Sequence, residues 1–539
     1  MKKLVLSVFT MISVAIGSKA VAQLTTVSGH ISSNTTWTND KIYRLDGFVY
    51  VDSNATLTIE PGTIIRGIKA TKGSLIVTRG GKLIANGTKK LPIIFTSDEA
   101  AGTRTYGDWG GLIILGAAPV NPVGGQAVIE GGVNNANGDG QYGGTNAQDS
   151  SGVLRYIRIE YAGIPFSANN EINGLTLGGV GNKTVIEYIM VAFSGDDSYE
   201  WFGGTVNAKH LIAYKGVDDD FDTDFGYQGN VQFGLVVRDK DVADQAGDSN
   251  GFESDNDNTG TNQARPKTQA NFSNVTVVGP KADASTTINA KFNNALRIRR
   301  NSAVSAFNSV FMGFPVGLYV EGDSCANNAT TDQLLFKNNG IAGCATPLKK
   351  TAASFDVTAW FNTPAFANSI LTNNSDVQLT APYAAVPNCL PAVGSPVLTG
   401  ASFADARLTN SFFTATSYKG AFGSEDWTSE WTNWDPQNNN YNVIQTGLTN
   451  EKTIRGLKVY PNPTSNEATI QFELANANQV NVMIYDIQGK LVYSINNNEL
   501  LQAGSHQIQL DVTDLVNGLY IVKVVGNNVA SATKLSIAK

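Results

Sequence analysis

The residues with the most chemistry to offer are carboxylates that recur at a fixed interval in the middle of the chain. Asp196-Asp197-Ser198-Tyr199-Glu200-Trp201-Phe202-Gly203 returns 23 residues later as Asp219-Asp220-Phe221-Asp222-Thr223-Asp224-Phe225-Gly226. Carboxylates brought together repel unless they are solvated, protonated or bridged by a cation, and an oxygen-rich cluster suits calcium. Asp196, Asp197, Asp219, Asp220, Asp222 and Asp224 are therefore candidate metal ligands. A second stretch, Asp255-Asn256-Asp257-Asn258-Thr259-Gly260, adds Asp255 and Asp257. It has the alternating oxygens and the glycine of a calcium loop, but Pro266 stands where an EF-hand places its closing Glu, and Phe225 takes the glycine place in the Asp220 run. The plain alternative is a solvated acidic face. Tyr199, Trp201, Phe221, Tyr227 and Phe252 are interleaved with the carboxylates, a pattern that suits sugar rings or a cationic group. Phe202 and Phe225 are expected to turn inward as core rungs.

These side chains need a scaffold that repeats with them. Ile189 and Val191 are followed at the same interval by Ile212 and Tyr214, then by Leu235 and Val237. So short a period indicates a solenoid, in which matching positions stack about 4.8 Å apart. On this alignment Asp196 and Asp197 lie beside Asp219 and Asp220. From Ile42 to Ser97 short apolar strands alternate with glycine turns, and the same texture continues to Phe311. A Gly/Asn-rich insertion from Pro119 to Ser151 reads as a loop over one face, and Asn271, Asn274 and Asn308 suit amide ladders at corners. After Gly322 the period fades. An open solenoid end must be covered, so residues 323–445 are expected to form an irregular cap with Trp427, Trp431 and Trp434 in its core. Residues 446–456 read as a linker, and the alternating strands of 457–539 as a small β-sandwich.

Composition bounds the function. Charged residues are only 16% of the 539, Gly numbers 54, and the net charge of −7 disfavours a nucleic-acid partner. Residues 196–257 hold fifteen Asp or Glu against four Lys or Arg, so the acidity belongs to one region. Lys2 and Lys3, an apolar run to Gly17 and Ala20-Val21-Ala22 before Gln23 form a signal peptide over 1–22, and no later stretch is apolar enough to span a membrane. Of Cys325, Cys344 and Cys389, the first two are the favoured disulfide pair. His30, His210 and His506 are too scattered in sequence to indicate zinc.

Two resemblances extend this reading. Leu57-Thr58-Ile59-Glu60-Pro61-Gly62-Thr63, the Gly81-Lys82-Leu83-Ile84-Ala85-Asn86-Gly87-Thr88 phrase and the Pro92 to Phe95 strand resemble the opening coils of secreted bacterial right-handed β-helix proteins of the pectin-lyase-like class. This implies an all-β fold, with a right-handed parallel β-helix over 23–322. Enzymes of that class work on one long face with paired carboxylates, or with calcium and a basic residue that removes a proton α to a uronate carboxylate. The resemblance makes Asp197, Asp220, Arg297 and Arg299 catalytic candidates, although their hydrolases carry a Gly-His-Gly turn where His210 sits in Ala208-Lys209-His210-Leu211. Pro461-Asn462-Pro463, Asp486-Ile487-Gln488-Gly489-Lys490, Gly518-Leu519-Tyr520 and the Lys534 strand closely resemble the type A sorting domain of the Bacteroidota type IX secretion system, an immunoglobulin-like sandwich. That implies export by the type IX machinery through residues 457–539, cleavage of the domain, and release or attachment to surface lipopolysaccharide. The expectation is a secreted or cell-surface protein that binds extracellular polysaccharide or adheres with calcium's support. A polysaccharide lyase or glycoside hydrolase and a purely structural surface component are the alternatives.

Overall fold

The computed structural model describes residues 23–167, 170–260, 264–444, 454–474, 478–502, 504–526 and 529–539, in two compact units, 1–447 and 448–539. The expected signal peptide and most of the expected linker lie outside the described residues.

Among the described residues of the first unit 26 strands join in one continuous sheet system whose pairings are all parallel, a β-helix with three faces. On the first face Phe48–Val51, Ser74–Val77, Leu112–Leu115, Leu175–Gly178, Tyr199–Phe202, Phe221–Asp224, Phe252–Ser254, Asn294–Ile298, Val316–Val320 and Thr346–Lys350 stack in that order. The second and third faces share long strands such as Val185–Ala192, Asn207–Tyr214, Asn230–Val237 and Asn271–Val278. Each of these strands bends at a residue in the left-handed region: Tyr188 (φ 57°), His210 (57°), Phe233 (65°) and Asn274 (56°). Pairing runs on past Gly322 to Ser369–Leu371, so the solenoid outlasts its expected boundary. The period faded only because the helix Gly322–Thr330 and later turns lengthen the last coils.

Alternation fills the interior with Leu75, Leu112, Leu175, Tyr199, Phe221 and Phe252 on the first face, all buried. Trp109, framed by glycines, stacks on Phe95 and donates its indole N–H to Glu160 O at 2.7 Å. A Cβ on Gly67 would meet Trp109 Cβ at 2.4 Å, which is why the coil beside it has none. Corners carry amide ladders: Asn207 Oδ1 accepts from Asn230 N and Nδ2, both at 2.9 Å, and Asn230 Oδ1 accepts from Asn271 Nδ2 at 3.1 Å.

Two segments cover the outward faces. The insertion lays Val120, Ile129, Val133 and Tyr142 over Tyr50, Ile76, Ile113 and Leu115 at the N-terminal half of the first face. The chain after Leu371 does not sit as a tryptophan plug on the open end. It runs back along the third face, from Gly420 N on Asn308 O to Asn442 Oδ1 on Arg66 Nη1. Trp427 and Trp431 pack with Met190, Ile212, Leu235 and Val310, beside the stacked rings of Tyr156, Tyr188, His210 and Phe233. The end is closed instead by Phe355, Trp360, Phe361 and Phe366, around the short helix Val357–Phe361. All three cysteines are free, with Cys325 in the solenoid core and Cys389 under the strap, so the expected Cys325–Cys344 bridge does not form.

The second unit is a β-sandwich with antiparallel sheets of three and four strands around Ile470, Phe472, Val482, Ile484 and Val522. Its first strand, Ile454–Tyr460, begins inside the expected linker. Asn462 of the Pro-Asn-Pro phrase clasps the last strand, donating to Lys534 O and accepting from Ser536 N, both at 2.8 Å.

Trp431 is wholly buried, and Trp431→Ala removes a fully buried indole from the strap. A loss of about 3–5 kcal/mol is expected in urea unfolding of the solenoid unit. A change within about 0.5 kcal/mol would mean that the strap does not stabilise the third face.

Candidate metal centre

The first face is left open where the insertion ends, and there its outward column turns from apolar to charged. Strand pairing places Thr176 beside Glu200, Glu200 beside Asp222, Asp222 beside Glu253, Glu253 beside Arg297, Arg297 beside Tyr319 and Tyr319 beside Lys349. The coil interval here is 22 residues, because Tyr199 pairs with Phe221. A one-residue change of register moves a side chain to the other surface of a sheet, and several sequence expectations change with it.

Tyr199, Trp201, Phe221, Tyr227 and Phe252 are core residues sealed inside the solenoid, so none presents a ring to an external sugar. The Tyr199 hydroxyl donates to Ile189 O at 2.7 Å and that of Tyr227 to Val206 O at 2.8 Å. Phe202 and Phe225, expected inside, stack on each other beneath the insertion on the outer surface. Asp220 faces inward, wholly buried, and is paired with Arg238 at 3.1 Å; burial pushes its carboxyl up to about 7 despite the guanidinium. It is neither an accessible metal ligand nor a catalytic group. Asp224 accepts from Phe225 N at 2.6 Å; its charge acts on Asp222, but its oxygens join none of the carboxylate groups. Asp255 is engaged by Arg299 Nε at 2.8 Å and Arg300 Nη1 at 2.7 Å, and Asp257 caps its own turn by accepting from Thr259 N and Oγ1. Asn256 between them is buried against Asn121. The 255–260 stretch is thus a turn whose oxygens do not converge.

Asp196, Asp197, Asp219 and Asp222 do come together, joined by Asp218, Glu200 and Glu253. Ligand oxygens of Asp196, Asp197 and Asp218, of Asp197, Glu200 and Asp222, and of Asp219, Asp222 and Glu253 form three groups, each within 4.8 Å. Asp197 and Asp219 owe their places to a corner ladder: Asp197 Oδ1 accepts from Asp219 N at 2.8 Å, Asp219 Oδ1 from Asn250 N at 2.5 Å, and Asn250 Oδ1 from Asn294 N at 3.1 Å. The cleft has a volume of about 500 Å³, is rimmed by Ala246, Gly247 and Asp248, and has Lys291, Arg297 and Arg299 on its far side. The two glutamates carry a signal in the sequence. Tyr199-Glu200-Trp201, Phe221-Asp222-Thr223 and Phe252-Glu253-Ser254 share a ring, an acid and an inward residue, but the 239–249 loop lengthens the third coil and masks the repeat.

Burial, and then mutual repulsion, raise Asp196, Asp197, Glu200, Asp218 and Asp222 well above the ordinary carboxylate range. Burial likewise takes Glu253 to about 8, with Asp219 adding to the rise and Arg299 opposing it. Asp218 Oδ1 and Asp222 Oδ1 are buried and accept no hydrogen bond. Such oxygens need a proton or a cation. A separation of up to 4.8 Å is what two oxygens span across an ion with bonds of about 2.4 Å, so the all-oxygen set could hold calcium, with Asp219, Asp222 and Glu253 as the candidate ligands and Asp197 and Glu200 beside them.

The arginines hold their protons. Arg297 pairs with Glu321 at 2.8 Å and Glu253 at 3.3 Å, Arg299 with Glu253 and Asp255, and although burial alone lowers both, these partners raise them. They are suited to binding an anion and ill suited to removing a proton.

Residues 29–387 match the pectate-lyase like beta helix domain, and residues 458–538 the secretion system C-terminal sorting domain. No curated protein matches the chain. Among solved structures it is similar to the full-length tailspike protein 2 of Escherichia coli O157:H7 bacteriophage CAB120, at 10% identity and a TM-score of 0.20, over 92% of this chain and 64% of that one. A likeness of that degree carries no argument, and the chain spans just under two thirds of the tailspike's length. The sorting domain marks the protein for the type IX secretion machinery and so for the cell surface or the medium. Among the described residues no helix is long and apolar enough to cross a membrane.

A raised carboxyl favours the folded state while protonated, so stability falls as pH rises from the ordinary carboxylate range through about 8, the value for Glu253. In chelator the melting temperature is expected to climb as pH is lowered from about 9 to about 6, and Asp222→Asn to flatten that slope. An unchanged slope in the variant would show that the cluster does not carry it. By fold and by its match across most of its length, the chain belongs to the pectate-lyase-like β-helix family, with a type IX sorting domain at its C-terminal end.

Proposed function

We propose that the protein is a secreted or surface-held binder of acidic polysaccharide, with a calcium ion in the carboxylate cleft forming part of the binding surface. The observation that carries this reading is the single outward column in which Glu200, Asp222 and Glu253 are followed one coil on by Arg297. A cation on the acids and a guanidinium beside it offer two positive points to successive carboxylates of a uronate chain, and an extended solenoid face suits a long ligand. Tyr319 continues the column with Arg297 5.8 Å and Lys349 4.2 Å from its ring centre, which lengthens the track beyond the metal. Binding is favoured over elimination because both arginines are held charged by their ion pairs. Held on the outer surface after sorting, or released, such a protein would adhere to uronate-rich polymers or retain them.

Calcium should raise the melting temperature of the wild-type protein but not of Asp222→Asn, since a ligand selective for the folded state must stabilise it. Immobilised polygalacturonate or alginate should retain the protein in calcium and release it in chelator. Arg297→Ala should weaken retention while leaving the calcium-dependent shift. Absence of a thermal shift removes the metal, and retention indifferent to both variants removes the cleft. Unsaturated uronate products formed in calcium would replace binding by lysis.

A further inference from the structure

The first coil carries a second constellation, chemically unlike the acidic cleft and at the other end of the same face. His30 lies in the strand Gln23–Ile31, Asp52 follows the strand Lys41–Val51 one coil on, and Asp139 arrives from the insertion. His30 Nδ1 is 2.7 Å from Asp52 Oδ1, a carboxylate that can only accept, so Nδ1 carries a proton and Nε2 is the ring nitrogen left to face a metal. The ring is stacked on Tyr50 at 4.9 Å and 19°, and Ser32 Oγ donates to the other oxygen of Asp52 at 2.5 Å, so both the imidazole and its orienting carboxylate are held. The free Nε2 faces Asp139 Oδ2 at 3.9 Å. That is too long for a hydrogen bond. It lies within the span of two ligands on one ion, because metal–nitrogen and metal–oxygen bonds of about 2.0–2.2 Å place their ends about 3–4 Å apart. Asp139 is steadied by Asn135 Nδ2 at 2.7 Å, and the three residues edge a cleft of about 340 Å³ that leaves further positions to water.

We propose that His30 Nε2 and Asp139 bind a first-row divalent transition ion, with Asp52 as the positioning carboxylate on Nδ1. An imidazole nitrogen selects such an ion over calcium, and the carboxylate–histidine–metal relay is the usual way of fixing the ring. The ion clips the insertion to the first coil, next to Tyr50, whose hydroxyl donates to Val133 O at 2.7 Å. The site does not depend on the calcium reading of the acidic cleft.

The test is zinc binding to the untagged, sorting-competent chain in saturating calcium, followed by calorimetry and by hydrogen exchange over residues 134–142. One strong equivalent is expected, with slower exchange in that segment. His30→Ala should abolish the strong equivalent, and Asp139→Asn the exchange protection. Asp52→Asn should weaken binding by about 10–100-fold, as loss of an orienting partner does. His30 is a partly exposed side chain, so the variants are expected to keep the wild-type melting temperature without zinc. Zinc affinity unchanged in His30→Ala, or no binding tighter than millimolar in the wild type, overturns the proposal.

Discussion

Each coil of the solenoid is hydrogen-bonded to the next in parallel, and this spacing of about 4.8 Å imposes itself on every side chain. Residues that occupy one position in successive coils have no choice but to stack. Inside, Tyr199, Phe221 and Phe252 form a continuous aromatic column. At a corner, Asp197, Asp219, Asn250 and Asn294 pass hydrogen bonds from one coil to the next. Outside, Glu200, Asp222 and Glu253 are held side by side although their charges repel. The backbone ladder and the core enforce a proximity that free carboxylates would avoid, and the raised affinity of these groups for protons is the result.

A three-faced solenoid also buries only its inner surface, so its outer columns need other partners. The insertion takes the apolar half of the first face, with Tyr142 and Val133 over Ile76 and Ile113. The long C-terminal strap takes the third face, where Trp427 and Trp431 close over Met190 and Ile212. The charged half of the first face is where neither segment lies. The opening is thus defined as much by where the two covers stop as by the acids themselves, and Glu130 of the insertion meets Asn173 and hence Glu200 at its edge.

Much of this architecture can be read from local pattern. Alternating strands and glycine turns between Ile42 and Ser97 announce coils, and the acidic repeat locates the charged coils. The Pro-Asn-Pro and Gly-Leu-Tyr phrases mark the sandwich that sends the protein out through type IX secretion. What local pattern does not yield is the register. An interval of 23 residues aligns Asp196 with Asp219, whereas the coils pair Tyr199 with Phe221, an interval of 22. That single residue turns Asp220 from a ligand into the buried partner of Arg238, while alternation from the inward Tyr199 and Trp201 puts Phe202 outside. The extra residue is absorbed at the corner after Asp224, beyond which Ala208 pairs with Val231 and Leu211 with Gly234, an interval of 23.

The sequence by itself determined the compartment, the solenoid, the sandwich and the region in which carboxylates gather, because each of these follows from composition, period or a contiguous motif. The tertiary structure decided which carboxylates meet. Glu253 joins Asp222 only because the 239–249 loop bulges out of the coil, and Arg297 is placed one coil on, across residues that share no period with it. It also decided the fate of the tryptophans, which seal a flank because the chain after Leu371 turns back along the third face. Periodicity is a property of neighbours along the chain, whereas a site is made by residues that a corner, an insertion or a returning strap brings together, and no local pattern records how far those reach.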